Sequence, residues 1–534
     1  MLKRTPAGFL ARLFHPGSAP SAHRRYGDAA DRARRVRAQR LAVLAIVTGL
    51  LYIVWVWRTV NWNHPLIASA FILAETFSLL LFAMAAAGSW RLRFKPAAAV
   101  LQSLPEPVDV FITVCGEPLP IVTRTLEAAM RITWPGPLHV YVLDDGGSPE
   151  LEELARRVGA TYRSRRREQL SGGDAKAGNL NFGLSVASGT YVLTLDADQV
   201  PCSTIVECLA PYLSLPKVAF VQSKQSFLVP DQDPFYSADP VFYNTLQKAF
   251  DAHDTVLSCG SGVLYRRAAL DSIGGFITWN VVEDLTTSYE LHSRGWKSLY
   301  YPYPLSMGLA PDTLAGVYKQ RSQWALDTMR LIFWRCPLFR KTLAWPKRLN
   351  YFAIGFSYLT AGFVAPLFYT IPIWSYLTGE ALLHGNEFHF ALWRSLYFVT
   401  MALALSWMFR GHGPGKQFQM LVGLFPVYMA SAFKALVHRN HKPSYHVNNA
   451  GGRQAAMPTA VALMPQLLLL TANVVGPFYA LFAETASLRI IAANVPVSAL
   501  AIWSLSHVCF AAFNGQMWSP DRHPVRFYAP SVES

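Results

Sequence analysis

Two pairs of aspartates in this chain each follow a short apolar run directly. Asp144 and Asp145 form the first pair, and Asp196 and Asp198, one residue apart, form the second. Apolar runs rich in β-branched and aromatic residues predict buried strands, and ligands of open α/β sheets bind beyond the carboxyl ends of such strands. The Asp-x-Asp spacing suits a hard divalent cation that also takes phosphate oxygens. A strand followed by an Asp-rich turn explains either pair alone equally well.

Two further motifs contain residues suited to phosphate or ring binding. Lys176, just before Gly178-Asn179, suits a phosphate as a point charge, although the same residues fit an ordinary helix start. Cys259 lies in a turn of small residues, 257–262, which would let a flat ring approach closely. Each of these signals is weak by itself.

Two more motifs contain groups suited to acid–base chemistry, diphosphate binding and ring stacking. Glu283-Asp284 offers a carboxylate that can act as general base toward an acceptor hydroxyl; alternatively, Asp284 caps the helix that follows. Gln320 and Arg321 suit a diphosphate, and Trp324 offers a ring face on which a sugar can stack. A basic amphipathic helix on the membrane surface explains the same residues, and the two interpretations are compatible.

The composition favours a membrane protein. Of 534 residues, 52% are hydrophobic and only 15% are charged, against about 25% in an average soluble protein. The net charge of +15 fits either nucleic-acid binding or the excess of basic residues on the cytoplasmic side of membranes. Because the basic residues cluster beside apolar segments, we expect no nucleic-acid partner. The six cysteines form no CxxC pair, which predicts free thiols in a reducing compartment.

The apolar segments divide the chain into membrane and soluble parts, because about 20 apolar residues span a bilayer. Six spans are predicted: 41–57 and 65–89 (within 41–90), then 350–378, 389–409, 457–483 and 488–513 (within 336–515). The basic N-terminus, 1–40, and the tail, 516–534, are predicted to be cytoplasmic. The apolar stretch 417–437 is predicted to lie along the interface, since a seventh span would place the basic loop 438–455 outside the cell.

Residues 100–335 are predicted to form an α/β domain at the cytoplasmic face. The alternation of strands and amphipathic helices predicts a mainly parallel sheet with both faces covered. The predicted strands are Val108–Val114, 139–143 and 191–195, and the predicted helices are 121–131 and 150–158.

In their order along the chain, these motifs resemble those of the processive family-2 glycosyltransferases, in particular the bacterial cellulose synthase catalytic subunits. The resemblance implies a polytopic α-helical membrane protein with a cytosolic α/β GT-A (Rossmann-like) glycosyltransferase domain inserted between transmembrane helices. The matching segments are 144–146 (uridine-binding DDG), 196–198 (metal-binding DxD), 283–284 (the end of TED), 320–324 (QxxRW), 176–181 and 259–261.

The resemblance also implies an activity: polymerisation of a UDP-sugar, with UDP-glucose preferred, into a β-glucan such as cellulose. The growing polysaccharide would leave through the protein's own channel in the bacterial inner membrane, with accessory export subunits as further partners. The implied roles are uridine or substrate binding for Asp144, Asp145, Lys176, Cys259, Glu283, Gln320, Arg321 and Trp324, Mg²⁺ or Mn²⁺ binding for Asp196 and Asp198, and general base for Asp284.

Several positions depart from the family pattern. Gln323 replaces the arginine of QxxRW, so one diphosphate contact is expected either to be lost or to be taken over by Arg321. Tyr445, Val447 and Asn448 resemble the FxVT gating loop, with tyrosine for phenylalanine and asparagine for threonine. No cyclic-di-GMP-binding PilZ domain is expected.

These departures leave other products open. Curdlan-type or mixed-linkage β-glucan, chitin and hyaluronan synthases share the motif set. A non-processive transferase acting on a lipid-linked acceptor would need the DxD and a base, but neither Trp324 nor a pore. A catalytically inactive transporter or scaffold is disfavoured because every catalytic carboxylate is present.

Overall fold

The computed structural model describes residues 29–91, 105–168, 173–229, 233–311, 313–384, 387–409, 412–439 and 458–515. The segment with Tyr445, Val447 and Asn448, which was predicted to be a gating loop, lies outside the described residues. Most of the described chain belongs either to an α/β domain or to long apolar helices before and after it.

The α/β domain is built on an eight-stranded sheet in the order β3-β2-β1-β4-β7-β6-β8-β5. The strands are β1 (Val108–Val114), β2 (Leu138–Asp144), β3 (Thr161–Arg163), β4 (Tyr191–Asp196), β5 (Val200–Pro201), β6 (Val218–Leu228), β7 (Val263–Arg266) and β8 (Lys297–Leu309). β1 to β4 are parallel neighbours, but β7 is antiparallel to both β4 and β6. The predicted mainly parallel sheet is therefore parallel in one half and mixed in the other.

The register of the parallel half brings the two aspartate pairs to one edge. β1 lies between β2 and β4, and all seven of its residues are buried. Val114 is opposite Asp144 of β2, and Thr113 is opposite Asp196 of β4. Because parallel strands end on the same side, both carboxylates emerge at the carboxyl edge of the sheet.

The helices surround this sheet and extend beyond it. Many are amphipathic or apolar, as expected for elements that cover a sheet or cross a membrane. In chain order they are α1 (Ala29–Thr59), α2 (Pro65–Gly88), α3 (Leu119–Ala129), α4 (Pro149–Val158), α5 (Ala175–Val186), α6 (Ile205–Leu213), α7 (Gln247–Asp251), α8 (Arg267–Asp271), α9 (Glu283–Ser293), α10 (Leu314–Trp334), α11 (Trp345–Leu359), α12 (Ala365–Thr378), α13 (Glu387–Met408), α14 (Pro414–Gly423), α15 (Phe425–Val437), α16 (Thr459–Ala462), α17 (Met464–Phe482) and α18 (Leu488–Gly515). π-helical turns at Phe242–Leu246 and Thr360–Val364 lead into α7 and α12.

Within the described residues, six helical segments are long and apolar enough to cross a membrane. They are Ala33–Thr59, Pro65–Gly88, Trp345–Thr378, Phe388–Met408, Met464–Phe482 and Leu488–Asn514. The pair α14 and α15 passes the same test only together, as a broken span bent by 57°, which would bring the number to seven. The single helix predicted over 417–437 is thus two helices. Pro426 has no backbone N–H to continue the hydrogen bonds of α14, and it lies in the first turn of α15.

α10 joins the α/β domain to the apolar helices. Its Met329 shares a buried cluster with Tyr428 of α15. Trp334 donates from Nε1 to the carbonyl of Ala435 at 2.7 Å, and the Ser431 hydroxyl donates to the carbonyl of Ser322 at 3.2 Å. The helix that carries Arg321 and Trp324 is therefore packed between the two parts of the protein.

Candidate active site

The turn after β2 is held by its own first aspartate. The buried Asp144 carboxylate accepts hydrogen bonds from the backbone N–H groups of Gly146 and Ser148, both at 2.7 Å, and from the Tyr162 hydroxyl at 2.8 Å. Short side-chain-to-backbone bonds of this kind fix tight turns. Asp144 therefore shapes the turn and presents Asp145 beyond it.

Asp145 forms a bidentate ion pair with a residue that the sequence patterns had not singled out. Arg165 donates to both Asp145 oxygens, at 2.9 and 2.5 Å, and also to the carbonyls of Gly173 and Ala175. Arg165 is almost fully buried, and a planar guanidinium suits such a fork-like contact. This ion pair connects the Asp145 turn to the start of α5.

Lys176 brings together three motifs that are far apart in the sequence. It lies in the first turn of α5, and its Nζ lies 2.5 Å from Asp196 Oδ1, 3.0 Å from the carbonyl oxygen of Gly260 and 3.3 Å from Glu283 Oε1. Burial works against the charge of Lys176, but Asp196 and Glu283 outweigh it and hold its pKa well above the usual value. The ammonium therefore stays charged among the carboxylates.

Asp196 and Asp198 form a cluster of repelling carboxylates with Glu117, which follows β1. Burial, then the charge of Asp196, raises the pKa of Asp198 to about 7. Burial also raises the pKa of Glu117, although its carboxylate accepts from the Cys115 N–H at 2.6 Å. A cation would relieve this repulsion, and oxygen donors suit Mg²⁺ or Mn²⁺.

The protein ligands alone would leave such an ion incompletely coordinated. Among the described residues, no group of three or more histidine, cysteine, aspartate or glutamate side chains is arranged to hold a metal. Asp198 also uses one oxygen to accept from the N–H of Leu309 at 3.2 Å. Mg²⁺ commonly takes one or two carboxylates together with substrate phosphates and water, so the residues present fit an ion that binds with a diphosphate.

Gly260 lies beside both Lys176 and the Glu283-Asp284 pair, and a larger residue there would crowd their charged groups. Its φ of +74° is left-handed, and a Cβ atom would lie 2.8 Å from Lys176 Nζ and 3.3 Å from both Asp284 Oδ2 and Glu283 Oε1. A side chain at this position would push the charged groups apart. The small-residue turn containing Cys259 thus serves to let charged groups meet.

Asp284 lies inside the first turn of α9. The helix begins at Glu283 with Val282 at the N-cap position, so the alternative in which Asp284 caps a helix is wrong. Burial, then the charge of Glu283, raises the pKa of Asp284 to about 8, although Lys176 acts in the opposite direction. A carboxylate with a pKa near working pH is suited to accept a proton.

The loop before Asp284 is held by Asp327 of α10. The buried Asp327 carboxylate accepts from the N–H groups of Val281 and Val282, at 3.3 and 2.6 Å. Burial raises the pKa of Asp327 to about 7 even though these two hydrogen bonds favour its charged form. Arg330, also buried, donates to Asn280 Oδ1 at 2.8 Å and to the Trp279 carbonyl at 3.2 Å. The position of Asp284 therefore depends on α10.

The motif 320–324 has its own set of contacts on α10. Arg321 forms an ion pair with Asp239 at 3.1 Å, and its guanidinium lies 4.6 Å from the centre of the Trp324 ring. Gln320, Arg321 and Trp324 are all partly buried, and none has a described contact with Asp196 or Asp284. The structure thus brings Lys176, Asp196, Glu283 and Asp284 together and keeps Arg321 beside Asp239.

Cys259 lies deeper than its predicted role suggests. Its Sγ accepts from Gln247 Nε2 at 3.4 Å, and its N–H donates to Gln222 Oε1 at 2.7 Å. Burial raises the pKa of the Cys259 thiol, so the thiol stays neutral. Its visible role is to fix the turn rather than to react.

The sequence patterns did not identify four residues of the site. Glu117 had a usable signal, because it follows β1 at the same sheet edge as the aspartates. The other three residues had no usable signal in the sequence, because their partners are distant along the chain. Arg165 pairs with Asp145, 20 residues away, and Asp239 pairs with Arg321, 82 residues away. Asp327 accepts from backbone N–H groups some 45 residues away.

Comparisons with known proteins agree with this fold. Residues 105–326 match the family described as "Glycosyltransferase like family 2", and residues 271–410 match "Cellulose synthase". Together with the aspartate-lined sheet edge, these matches define a family-2 glycosyltransferase domain of the predicted GT-A-like α/β type. The predicted fold class is thus confirmed, including the apolar helices around that domain.

More particularly, the chain is a relative of the bacterial cellulose synthases. It is 30% identical over 410 residues to cellulose synthase 1 of Komagataeibacter xylinus, covering 68% of this chain and 26% of that protein. It is 30% identical over 410 residues to the UDP-forming cellulose synthase catalytic subunit of Komagataeibacter sucrofermentans (68% and 53% covered). For the same subunit of Pseudomonas fluorescens, the identity is 32% over 372 residues (66% and 49% covered).

The chain spans about half the length, or less, of these relatives. Among solved structures, a mannosyltransferase from Pyrobaculum calidifontis in complex with GDP-Man and Mn²⁺ is 18% identical, with a TM-score of 0.47 over 69% of this chain and 99% of that one. The apolar helices and the bacterial relatives together identify a membrane protein.

Proposed function

We propose that this protein is an inverting, processive glycosyltransferase that adds glucose from UDP-glucose to a growing β-glucan. The observation that carries the proposal is the contact set of Lys176, whose ammonium lies between Asp196 and Glu283 and so joins the metal-type motif to the base-type motif. The similarity to UDP-forming cellulose synthase subunits supports a UDP-sugar donor.

Each group in the site has a role in this proposal. Asp145, presented by the turn that Asp144 holds, accepts hydrogen bonds from the uridine part of the donor. Lys176 and Arg321 offset the charge of the diphosphate. To do so, Lys176 must give up its ion pair with Asp196, and Arg321 must give up its ion pair with Asp239. Gln320 and Trp324 line the place where the acceptor sugar lies, and a ring face suits sugar stacking.

Asp284 takes the proton from the acceptor hydroxyl. The freed oxygen attacks the anomeric carbon from the face opposite the diphosphate, so the configuration inverts and UDP leaves with the bonding electron pair. Glu283 keeps the pKa of Asp284 raised, and Asp327 fixes the loop that carries both. A raised pKa makes the carboxylate a stronger base.

Asp196 and Asp198 are the residues that would hold Mg²⁺ or Mn²⁺. The ion, when bound with the donor, neutralises charge that develops on the leaving diphosphate. The repulsion between Asp196, Asp198 and Glu117 supports this assignment, because these carboxylates are otherwise offset mainly by Lys176.

The proposed topology has the glycosyltransferase domain in the cytosol and the apolar helices in the bacterial inner membrane. Basic residues at 34–40 lie at the start of the first apolar helix and favour a cytoplasmic N-terminus. The apolar helices would enclose the path by which the polysaccharide leaves, and accessory subunits would take over outside. The packing of α10 against α15 supports a coupling between addition and export.

The test is product analysis with purified protein in lipid vesicles. The protein is incubated with UDP-glucose, UDP-N-acetylglucosamine or UDP-glucuronate plus Mg²⁺ or Mn²⁺, and the linkage of any polymer is determined. We expect a (1→4)-β-glucan from UDP-glucose alone. A (1→3) or mixed-linkage glucan would correct the product, whereas short glycolipids without polymer would overturn processive synthesis.

A further inference from the structure

A crevice outside the candidate active site opens where three apolar helices meet the glycosyltransferase domain. Arg34 and Arg35 of α1, Trp90 after α2, Asn244 and Lys248 next to and within α7, and Trp407 of α13 line it. It is shallow and open, with a cavity volume of ≈ 50 Å³. Under the proposed topology, it lies at the cytoplasmic surface of the membrane.

The polar wall of the crevice is strongly cationic. Arg34, Arg35 and Lys248 contribute to it, and none of the described residues that line the crevice is acidic. Lys224 lies just behind and donates from Nζ to Asn244 Oδ1 at 2.8 Å. Burial, then the charge of Lys248, lowers the pKa of Lys224 to about 8. Such crowding of like charges is relieved when an anion binds.

The other lining residues are mainly apolar. Ala38 and Ala42 lie one and two turns along α1 from Arg34 on the same face, and they are buried between the helices, as is Ala86 of α2. Tryptophans such as Trp407 favour the boundary between lipid and water. A free phosphate would use only the cationic wall, whereas the acyl chains of a phospholipid would also contact exposed apolar residues of α1, such as Val43 and Leu44.

The crevice is also connected to the candidate active site through one residue. Lys248 directly follows Gln247, whose side-chain amide donates to the Leu257 carbonyl at 2.8 Å and accepts from the Leu257 N–H at 3.1 Å. The same amide donates to Cys259 Sγ at 3.4 Å. An anion held by Lys248 would therefore steady the turn that positions Gly260.

We propose that this crevice binds the phosphate headgroup of an anionic phospholipid from the cytoplasmic leaflet, with the acyl chains in the surrounding bilayer. Basic pockets between membrane helices on the cytoplasmic side recognise such headgroups. The binding site rests on the crevice and on the proposed topology, and its effect on catalysis rests on the proposed function.

Binding is tested on the full-length protein in detergent. Phosphatidylglycerol and phosphatidylcholine are titrated separately, and bound lipid is counted by native mass spectrometry. The test variant is Arg34→Gln/Lys248→Gln, and the control is Arg40→Gln, which removes a charge from the same end of α1 outside the crevice. At about fivefold for each of the two basic residues removed, the double variant should bind phosphatidylglycerol about twenty-five-fold more weakly.

Wild type and Arg40→Gln should bind phosphatidylglycerol equally and prefer it to phosphatidylcholine. Equal affinity of wild type for the two lipids, or an equal loss in Arg40→Gln, would overturn the proposal. Displacement of the lipid by millimolar inorganic phosphate would show a phosphate site instead of a lipid site. Because this measurement needs no turnover, its result is independent of whether the protein transfers sugar.

The effect on catalysis is measured as UDP release in vesicles with and without phosphatidylglycerol. We expect phosphatidylglycerol to stimulate wild type and Arg40→Gln but not the double variant. Equal stimulation of all three proteins would refute the connection through Gln247. Absence of UDP release from every protein under every condition would instead contradict the proposed function.

Discussion

Replacing Lys176 with methionine should raise the pKa of Asp284, because this buried ammonium offsets the clustered carboxylates. A Cβ atom built on Gly260 would lie 2.8 Å from Lys176 Nζ and 3.3 Å from Asp284 Oδ2. Because Nζ and Oδ2 cannot be further apart than the sum of these two distances, the lysine and aspartate charges are separated by at most about 6 Å. At an effective dielectric constant of about 20, the attraction is about 3 kcal/mol, or about two pKa units. Partial exposure of Asp284 reduces this value, and we expect a shift of about one to two units.

The assay is the pH dependence of kcat/KM for UDP release, which reports on the free enzyme. In wild type, activity should rise with pH through about 8, the pKa of Asp284. In Lys176→Met the midpoint should move to higher pH, whereas Lys176→Arg keeps the charge and should retain the wild-type midpoint. An unchanged midpoint in Lys176→Met would refute the electrostatic reasoning.

Thermal unfolding gives a second readout if Lys176→Met is inactive. Because the pKa of Asp284 is higher in the folded than in the unfolded protein, the native state binds more protons, and stability falls as pH rises. In wild type, this loss should run from about pH 4, the unfolded pKa of aspartate, to about 8. In Lys176→Met it should continue to higher pH, and an identical pH profile would contradict the account.

Three further substitutions test separate parts of the site. Asp198→Asn removes one of the two proposed metal ligands and should raise the Mg²⁺ concentration for half-maximal UDP release at least about tenfold, by loss of a charged ligand; an unchanged Mg²⁺ titration would remove Asp198 from the metal site. Gly260→Ala should lower kcat/KM because the new Cβ pushes Lys176 away, and the left-handed backbone adds a strain of about 1–2 kcal/mol. The control is Gly274→Ala, because Gly274 has a similar φ of +83° but open space around it. An equal loss of activity in this control would mean that strain alone explains the effect. Asp327→Asn leaves a valine N–H without a charged acceptor and should destabilise the protein by about 1–3 kcal/mol while lowering kcat more than it raises KM for the donor; a change in KM alone would refute its role in placing the base.

The sequence was sufficient to predict the structure where a functional motif directly follows a strand. β1 runs over Val108–Val114, as predicted, and Asp144 and Asp196 close β2 and β4 as the apolar runs indicate. The rule that parallel strands end together then predicts their meeting. Local chemistry and a single topological rule are enough for this part of the site.

The sequence was not sufficient to predict two kinds of feature. These are contacts between residues far apart along the chain, and the direction of a strand, which its own residues do not determine. β7 runs antiparallel between β4 and β6, and nothing in its four residues distinguishes this from a parallel strand. The Arg165–Asp145 and Arg321–Asp239 ion pairs form only once the tertiary fold is in place. The bend between α14 and α15 had a local signal in Pro426, which the apolar content of 417–437 obscured.

The most direct test of the central claim compares wild type with Asp284→Asn in lipid vesicles containing UDP-glucose and Mg²⁺. The substitution keeps the size of the side chain at the start of α9 but removes its capacity to accept a proton. We predict that wild type releases UDP and forms a β-glucan of high molecular mass, while Asp284→Asn binds UDP normally and forms no polymer. Polymer synthesis at the wild-type rate by Asp284→Asn would contradict the assignment of the base and, with it, the proposed mechanism.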